Sequence, residues 1–207
     1  MTGKHSQEKQ EKSFSWKREI RFWAIVLVVF GLLYATGLHT TVIGKVQQVF
    51  LSSGVIQPAI PDNLEDLPGV SRDFYFVDRQ SRMTSLHDFE GSVIFMNIWA
   101  TWCPPCIAEM PSIASLYEEF RDNPGVKFLL VSMDENFDDA EAFMDNREYD
   151  LPIYHFRNKA AGIFESSVIP TTYVITPDGR LAIEKKGMAK YDGRRFIEFI
   201  HELSSDR

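Results

Sequence analysis

The sequence predicts an α/β fold: a mixed central sheet with helices on both faces, an N-terminal strand or hairpin extension, and one apolar helix ahead of it all. Three observations predict it. Short apolar or alternating runs at residues 73–78, 93–98, 126–133, 151–156 and 173–176 alternate with helical stretches at 103–121, 137–147, 160–166 and 191–203. Strands that alternate with helices pair in parallel through right-handed crossovers. Pro177-Asp178-Gly179 instead joins the fifth run to residues 181–186 as a hairpin, which adds antiparallel strands. Finally, the only two cysteines, Cys103 and Cys106, stand where a buried strand hands over to a helix.

Residues 1–21 form a basic tail, with six Lys or Arg against three Glu, a net of +3. The whole chain carries −7, so residues 22–207 carry −10. An acidic body argues against nucleic acid as a partner, because phosphate binding requires a basic surface. Residues 22–43 contain no Lys, Arg, Asp or Glu. As a helix they span roughly 33 Å at about 1.5 Å per residue, enough for the hydrocarbon core of a bilayer. Trp16, Trp23 and Tyr34 suit the interfaces, and the basic flank on the N-terminal side places the N-terminus in the cytoplasm. A cleaved signal peptide, with Ala35-Thr36-Gly37 as its processing site, competes with this reading. The apolar run outlasts a usual signal core, so an uncleaved, single-pass anchor in the inner (cytoplasmic) membrane is the expectation, with the remainder periplasmic or otherwise extracytoplasmic.

Residues 44–72 read as a tether. Val46, Val49 and Phe50 make a short apolar stripe, and Pro58, Pro61 and Pro68 among acidic residues read as extended linker. The folded domain is expected over residues 73–207. Residues 93–98 and 126–133 are apolar enough to be central strands buried on both faces. Pro111 falls inside the cysteine helix, where it predicts a kink. Phe196, Ile197, Ile200 and Leu203 share one face of the terminal helix.

A Cys-x-x-Cys between strand and helix points to redox chemistry. A metal site needs about four ligands, and the chain has no further cysteine and no histidine near this one in sequence. A purely structural cross-link over so short a loop gains the least chain entropy. Cys103 at the helix N-terminus is the expected nucleophile, because unpaired N–H groups and the helix dipole favour a thiolate there. Cys106, one turn in, is the expected resolving thiol. Pro104 and Pro105 need no N–H partner in a first turn and stiffen the site. No histidine lies between the cysteines to stabilise a thiolate, which tilts the pair toward a reductant. Glu109 is three residues past Cys106 on the same helix face. Trp102 is expected on the docking surface, Trp99 in the core.

Residues 97–106 (NIWATWCPPC), followed by Glu109-Met110-Pro111, resemble the membrane-anchored TlpA/ResA/CcmG-type thiol–disulfide oxidoreductases of the thioredoxin superfamily. The Phe74-Tyr75-Phe76 start with Leu86 and Gly91, the Ile169-Pro170-Thr171-Thr172 run and the Pro177-Asp178-Gly179 turn are similar to that family as well, over roughly residues 73–203. The resemblance implies a thioredoxin-like fold and a cis bond before Pro170, with Ile169 and Thr171 presenting backbone to a docked substrate strand. It implies that Glu109 has a raised pKa and shuttles a proton to or from Cys106. It implies disulfide-containing exported proteins as substrates, apocytochrome c thiols among them, a membrane electron donor as partner, and no cofactor beyond the two thiols. Asn97 departs from thioredoxin proper, which carries a buried aspartate there. A peroxidase would need Pro-x-x-x-Thr-x-x-Cys, and Met96 and Ala100 occupy those places. A Cu(I)-binding thioredoxin-like metallochaperone is the alternative, since thiolates take Cu(I), but it favours a longer cysteine spacing and a histidine ligand, for which only His155 is a remote candidate.

Overall fold

The computed structural model describes residues 16–36, 46–49, 51, 53–54, 56–64, 67–156 and 168–205. The chain divides into two units, Met1–His39 and Thr40–Arg207. In the first, α1 runs over Trp16–Ala35. It covers residues 22–35 of the predicted anchor and buries none of its side chains; the anchor's remainder, residues 37–43, lies outside the described residues. No described helix is long and apolar enough to cross a membrane.

The second unit holds a seven-stranded sheet in the order β2-β1-β5-β4-β3-β6-β7. Its strands are β1 Tyr75–Asp78, β2 Met83–Ser85, β3 Val93–Trp99, β4 Val126–Ser132, β5 Ile153–Phe156, β6 Thr171–Ile175 and β7 Leu181–Lys186. Among the described residues it also holds the helices α2 Pro104–Phe120, α3 Phe137–Asn146 and α4 Arg194–Ser205. The centre is parallel, with β3 on β4 and β4 on β5, and both flanks are antiparallel. The expected N-terminal hairpin is β1–β2, and the expected C-terminal hairpin is β6–β7, closed by Gly179 at φ +85°.

All seven residues of β3 are buried. Because side chains alternate along a strand, Val93, Phe95 and Trp99 enter one apolar cluster and Ile94, Met96 and Ile98 the other. The first cluster takes the inner faces of all three helices: Met110, Ile113 and Leu116 from α2, Phe143 and Met144 from α3, and Phe196 and Ile200 from α4. The described helices therefore share one face of the sheet. The order β3-β4-β5 steps twice in one direction, so two crossovers of the same hand place α2 and α3 on the same side. On the opposite face the described cover is a 3-10 turn, Leu86–Phe89, with Phe74 and Phe76. The predicted helix at 160–166 lies outside the described residues.

The segment read as tether needs a correction. Leu51 is 3% exposed, and Ile56, Ile60, Leu64 and Leu67 pack on the main core. Backbone bonds stitch the segment down: Lys190 N–H to the Ile56 carbonyl, Leu181 N–H to the Pro68 carbonyl and Val70 N–H to the Gly179 carbonyl. Val46 and Val49, taken from sequence as an apolar stripe, are exposed. Prolines and acidic residues suggested solvent; the spaced Ile and Leu residues between them carry the packing. Leu51→Ala is expected to lower unfolding free energy by about 2–5 kcal/mol, read from the urea midpoint of the Thr40–Arg207 unit, and removal of residues 46–72 should lower it further.

Candidate functional site

The topology brings three pieces of chain to one edge of the sheet. β3 and β4 run parallel and end there, and antiparallel β6 begins there, with Ile98 opposite Thr171. The loop after β3 carries Trp102 and Cys103, the loop after β4 carries Met133 and Asp134, and Pro170 sits immediately before β6.

Cys103 caps α2. Its backbone is extended at φ −101° and ψ 101°, and its sulfur accepts the Cys106 N–H at 3.3 Å. Pro104 and Pro105 occupy the first two helical positions, where no N–H partner is available. The cysteines form a disulfide with Cα atoms 5.3 Å apart. Both are buried, Cys103 at 4% exposure and Cys106 at 0%, so the outer sulfur is the accessible one. Trp102, Met133 and Val168 are large apolar side chains left exposed at this edge. Trp99 is fully buried against Phe143. The Ile169–Pro170 bond is cis; Ile169 is half-buried, Pro170 and Thr171 are buried, and the Pro170 carbonyl accepts the Gly187 N–H at 2.8 Å.

Glu109 is fully buried. It lies on the inner face of α2, one turn beyond Cys106. Its Oε1 accepts Asn97 Nδ2–H at 2.8 Å, and its Oε2 accepts the Ala189 N–H at 3.1 Å. Burial pushes its carboxyl up to about 8; the Asn97 and Ala189 hydrogen bonds and the Lys185 ammonium pull the other way without cancelling it. The network extends further. Asn97 Nδ2 also donates to Thr172 Oγ1 at 2.8 Å, and Tyr191 Oη–H donates to the same oxygen at 2.6 Å. The Tyr191 N–H reaches Ser112 Oγ at 3.3 Å, and Ser112 Oγ donates to the Glu109 carbonyl at 2.8 Å.

Asp134 organises the approach to Cys103. Only 3% exposed, it accepts Thr101 N–H at 3.1–3.2 Å, Thr101 Oγ1–H at 2.7 Å and Ser132 Oγ–H at 2.8 Å. The Met133 N–H adds a bond to the Trp99 carbonyl at 2.8 Å. The loop that presents the outer cysteine is thus fastened to the end of β4.

Of the residues picked from sequence, Cys103, Cys106, Pro104, Pro105 and Trp102 share one turn, Glu109 lies one turn below, and Ile169, Pro170 and Thr171 line the neighbouring strand start. Sequence reading missed Thr172, Ala189, Tyr191 and Asp134. Tyr191 had been expected as the first residue of the terminal helix, which starts instead at Arg194. Thr172 belongs to a motif already quoted and was the one legible omission. Among the described residues no group of three or more His, Cys, Asp or Glu stands together as a metal site; His155 instead stacks on Phe137.

With this geometry in hand, comparison with known proteins is informative. Residues 68–183 match the model of the AhpC/TSA family. The chain belongs to the AhpC/TSA family. A curated relative named thiol–disulfide oxidoreductase ResA, from Oceanobacillus iheyensis, is 37% identical over 58% of this chain and 61% of its own length. The ResA of Geobacillus thermodenitrificans is 32% identical over 62% of this chain and 74% of its own. The match therefore spans about three fifths of the first of these relatives. Among solved structures, a Bacteroides vulgatus protein assigned as a thiol–disulfide oxidoreductase superposes with a TM-score of 0.55 at 26% identity, over 68% of this chain and 99% of that one. Within this family the chain keeps the thioredoxin-like fold and the Cys-x-x-Cys pair, with Met96 and Ala100 in place of the peroxidase Pro and Thr. The family match stops short of Ala189 and Tyr191, which complete the surroundings of Glu109.

Two expectations follow. A buried carboxyl that holds its proton to about pH 8 is matched by an unfolded one that loses it near 4.5. Between those values the unfolded chain binds fewer protons than the fold, so stability falls as pH rises through that window. Glu109→Gln should flatten this loss, as read from urea unfolding at pH 5 and pH 8; a decline of equal slope in the variant would refute the assignment. Asp134→Ala leaves the Thr101 N–H and hydroxyl without acceptors in a part-buried loop, and should cost about 1–3 kcal/mol of stability in the same measurement.

Proposed function

We propose that this protein is a membrane-tethered thiol–disulfide oxidoreductase that reduces disulfides in exported proteins outside the cytoplasm. The observation that carries the reading is the Cys103–Cys106 pair capping α2 with the buried Glu109 one turn below. In the reduced enzyme the Cys103 thiolate attacks one sulfur of a substrate disulfide, and the other sulfur leaves as a thiolate that takes up a proton. Glu109, in its ionised fraction, removes the proton from the Cys106 thiol. Cys106 then attacks Cys103, which releases the second substrate sulfur and leaves the enzyme disulfide. Two electrons have passed from enzyme dithiol to substrate, and a membrane-borne thiol donor restores the starting state. Trp102 and the strand start at Ile169–Thr171 receive the substrate chain, whose backbone pairs beside cis-Pro170. Apocytochrome c is the substrate that the resemblance of residues 97–111 to TlpA/ResA/CcmG-type enzymes implies.

Residues 22–43 form the anchor in this proposal. In support, the apolar side chains of α1 from Phe22 onward are exposed nearly all round, as a lipid-facing helix requires and a core helix does not. Trp16, Trp23 and Tyr34 mark its ends, and the basic tail sets the N-terminus in the cytoplasm. The far side of that membrane is a compartment where disulfides persist and where a reductant has work.

Cys106→Ser should trap substrates on Cys103 as mixed disulfides, which mass spectrometry identifies. Cys103→Ser should trap none and abolish dithiol-driven reduction of a model disulfide protein. Full activity in either variant would overturn the mechanism, and trapped partners that are all oxidants would overturn its direction.

A further inference from the structure

We propose that Asn97 is a positioning residue for the Glu109 proton, its side-chain amide standing in one of two opposite orientations according to whether Glu109 is ionised. The inference rests on the reading of Glu109 as the proton acceptor for Cys106.

It begins with an imbalance. Asn97 is fully buried in the middle of β3. Its Nδ2 serves two acceptors at 2.8 Å, Glu109 Oε1 and Thr172 Oγ1, while its Oδ1 has no hydrogen-bond partner among the described residues. Glu109 Oε2 is committed to the Ala189 N–H, a backbone group that can only donate. A proton on Glu109 therefore belongs on Oε1, the atom facing Asn97. The arrangement observed suits the carboxylate alone: with a proton on Oε1, an O–H and an N–H would point at each other.

Half a turn of the amide removes the conflict. Oδ1 then takes the place of Nδ2, accepting Glu109 Oε1–H on one side and Thr172 Oγ1–H on the other. Thr172 can make the exchange because a hydroxyl has one donor and two acceptor sites. At present it accepts from both Asn97 and Tyr191, so its own hydrogen is unspent. After rotation it donates to Asn97 and still accepts from Tyr191, which need not move. Each orientation leaves the opposite end of the amide without a partner, so neither is locked in.

The charged and titratable groups around the carboxyl fit the same picture. Lys185 on β7 favours the ionised form. Tyr191, also fully buried, is held well above its ordinary range and stays a neutral donor throughout. On α2 itself the neighbouring titratable groups are the two thiols when reduced.

The test is nuclear magnetic resonance on the full chain in detergent micelles. The Glu109 side-chain carbonyl and the Asn97 side-chain amide are followed from pH 5 to pH 10. The expected result is one common midpoint for both, with the Asn97 amide pair no longer titrating in Glu109→Gln. Asn97→Ala should raise the Glu109 midpoint by one unit, about tenfold in proton affinity, because the ionised form loses a charge-assisted bond. If Glu109 titrates at high pH while the Asn97 amide stays still, the switch is wrong and the role of Glu109 stands. If Glu109 titrates in the ordinary carboxylate range, both fall.

Discussion

A carboxyl group shut away from water is expensive to ionise, and the redox end of this domain is arranged around one. Glu109 is held from three directions: by its own helix, by Asn97 on the central strand, and by the Ala189 amide beyond the last hairpin. Those contacts join α2, β3 and the chain after β7 at a single side chain. Burial keeps the proton on; the two donors keep its removal within reach near neutral pH. A more exposed carboxylate would have no proton to exchange at that pH, and a buried one without donors would never release it.

The proton chemistry and the sulfur chemistry are separated along one helix. Cys103 sits at the cap, where the helix dipole and a free edge favour a thiolate. Cys106 is one turn deeper and fully buried. In the proposed mechanism the outer sulfur meets the substrate beside Trp102, and the inner one gives its proton to Glu109. Asp134 stabilises the entrance rather than the interior, through bonds to Thr101 that keep the loop before Cys103 in one place.

Much of this was legible in the sequence because it is carried by local chemistry. Two cysteines three apart after a seven-residue buried strand, a proline before a Thr-Thr strand start, and Pro-Asp-Gly between two runs each state their geometry within a few residues. The features that escaped depend on contacts between distant segments. Tyr191 resembles a helix residue until Thr172 and Phe95 are found beside it. Asp134 resembles a solvated loop acid until Thr101 is brought to it from 33 residues away. The tether read over residues 44–72 looks polar because Leu51, Ile56, Ile60, Leu64 and Leu67 stand three to five positions apart among prolines and acids, yet these are the residues that meet the core. Strand order is not written in any one segment either; it is set by pairings between distant strands.

The bond from Lys190 N–H to the Ile56 carbonyl has a mechanical side. Lys190 is the next residue after Ala189, whose own amide holds Glu109. Two successive peptide units of one loop thus hold two different pieces of the molecule, the segment around Ile56 and the Glu109 carboxyl. Were the chain held in a membrane by residues 22–43, as proposed, tension along residues 44–56 would arrive one peptide away from the seat of the Glu109 carboxyl, and the strength of that seat would limit how hard the domain could be pulled without disturbing it.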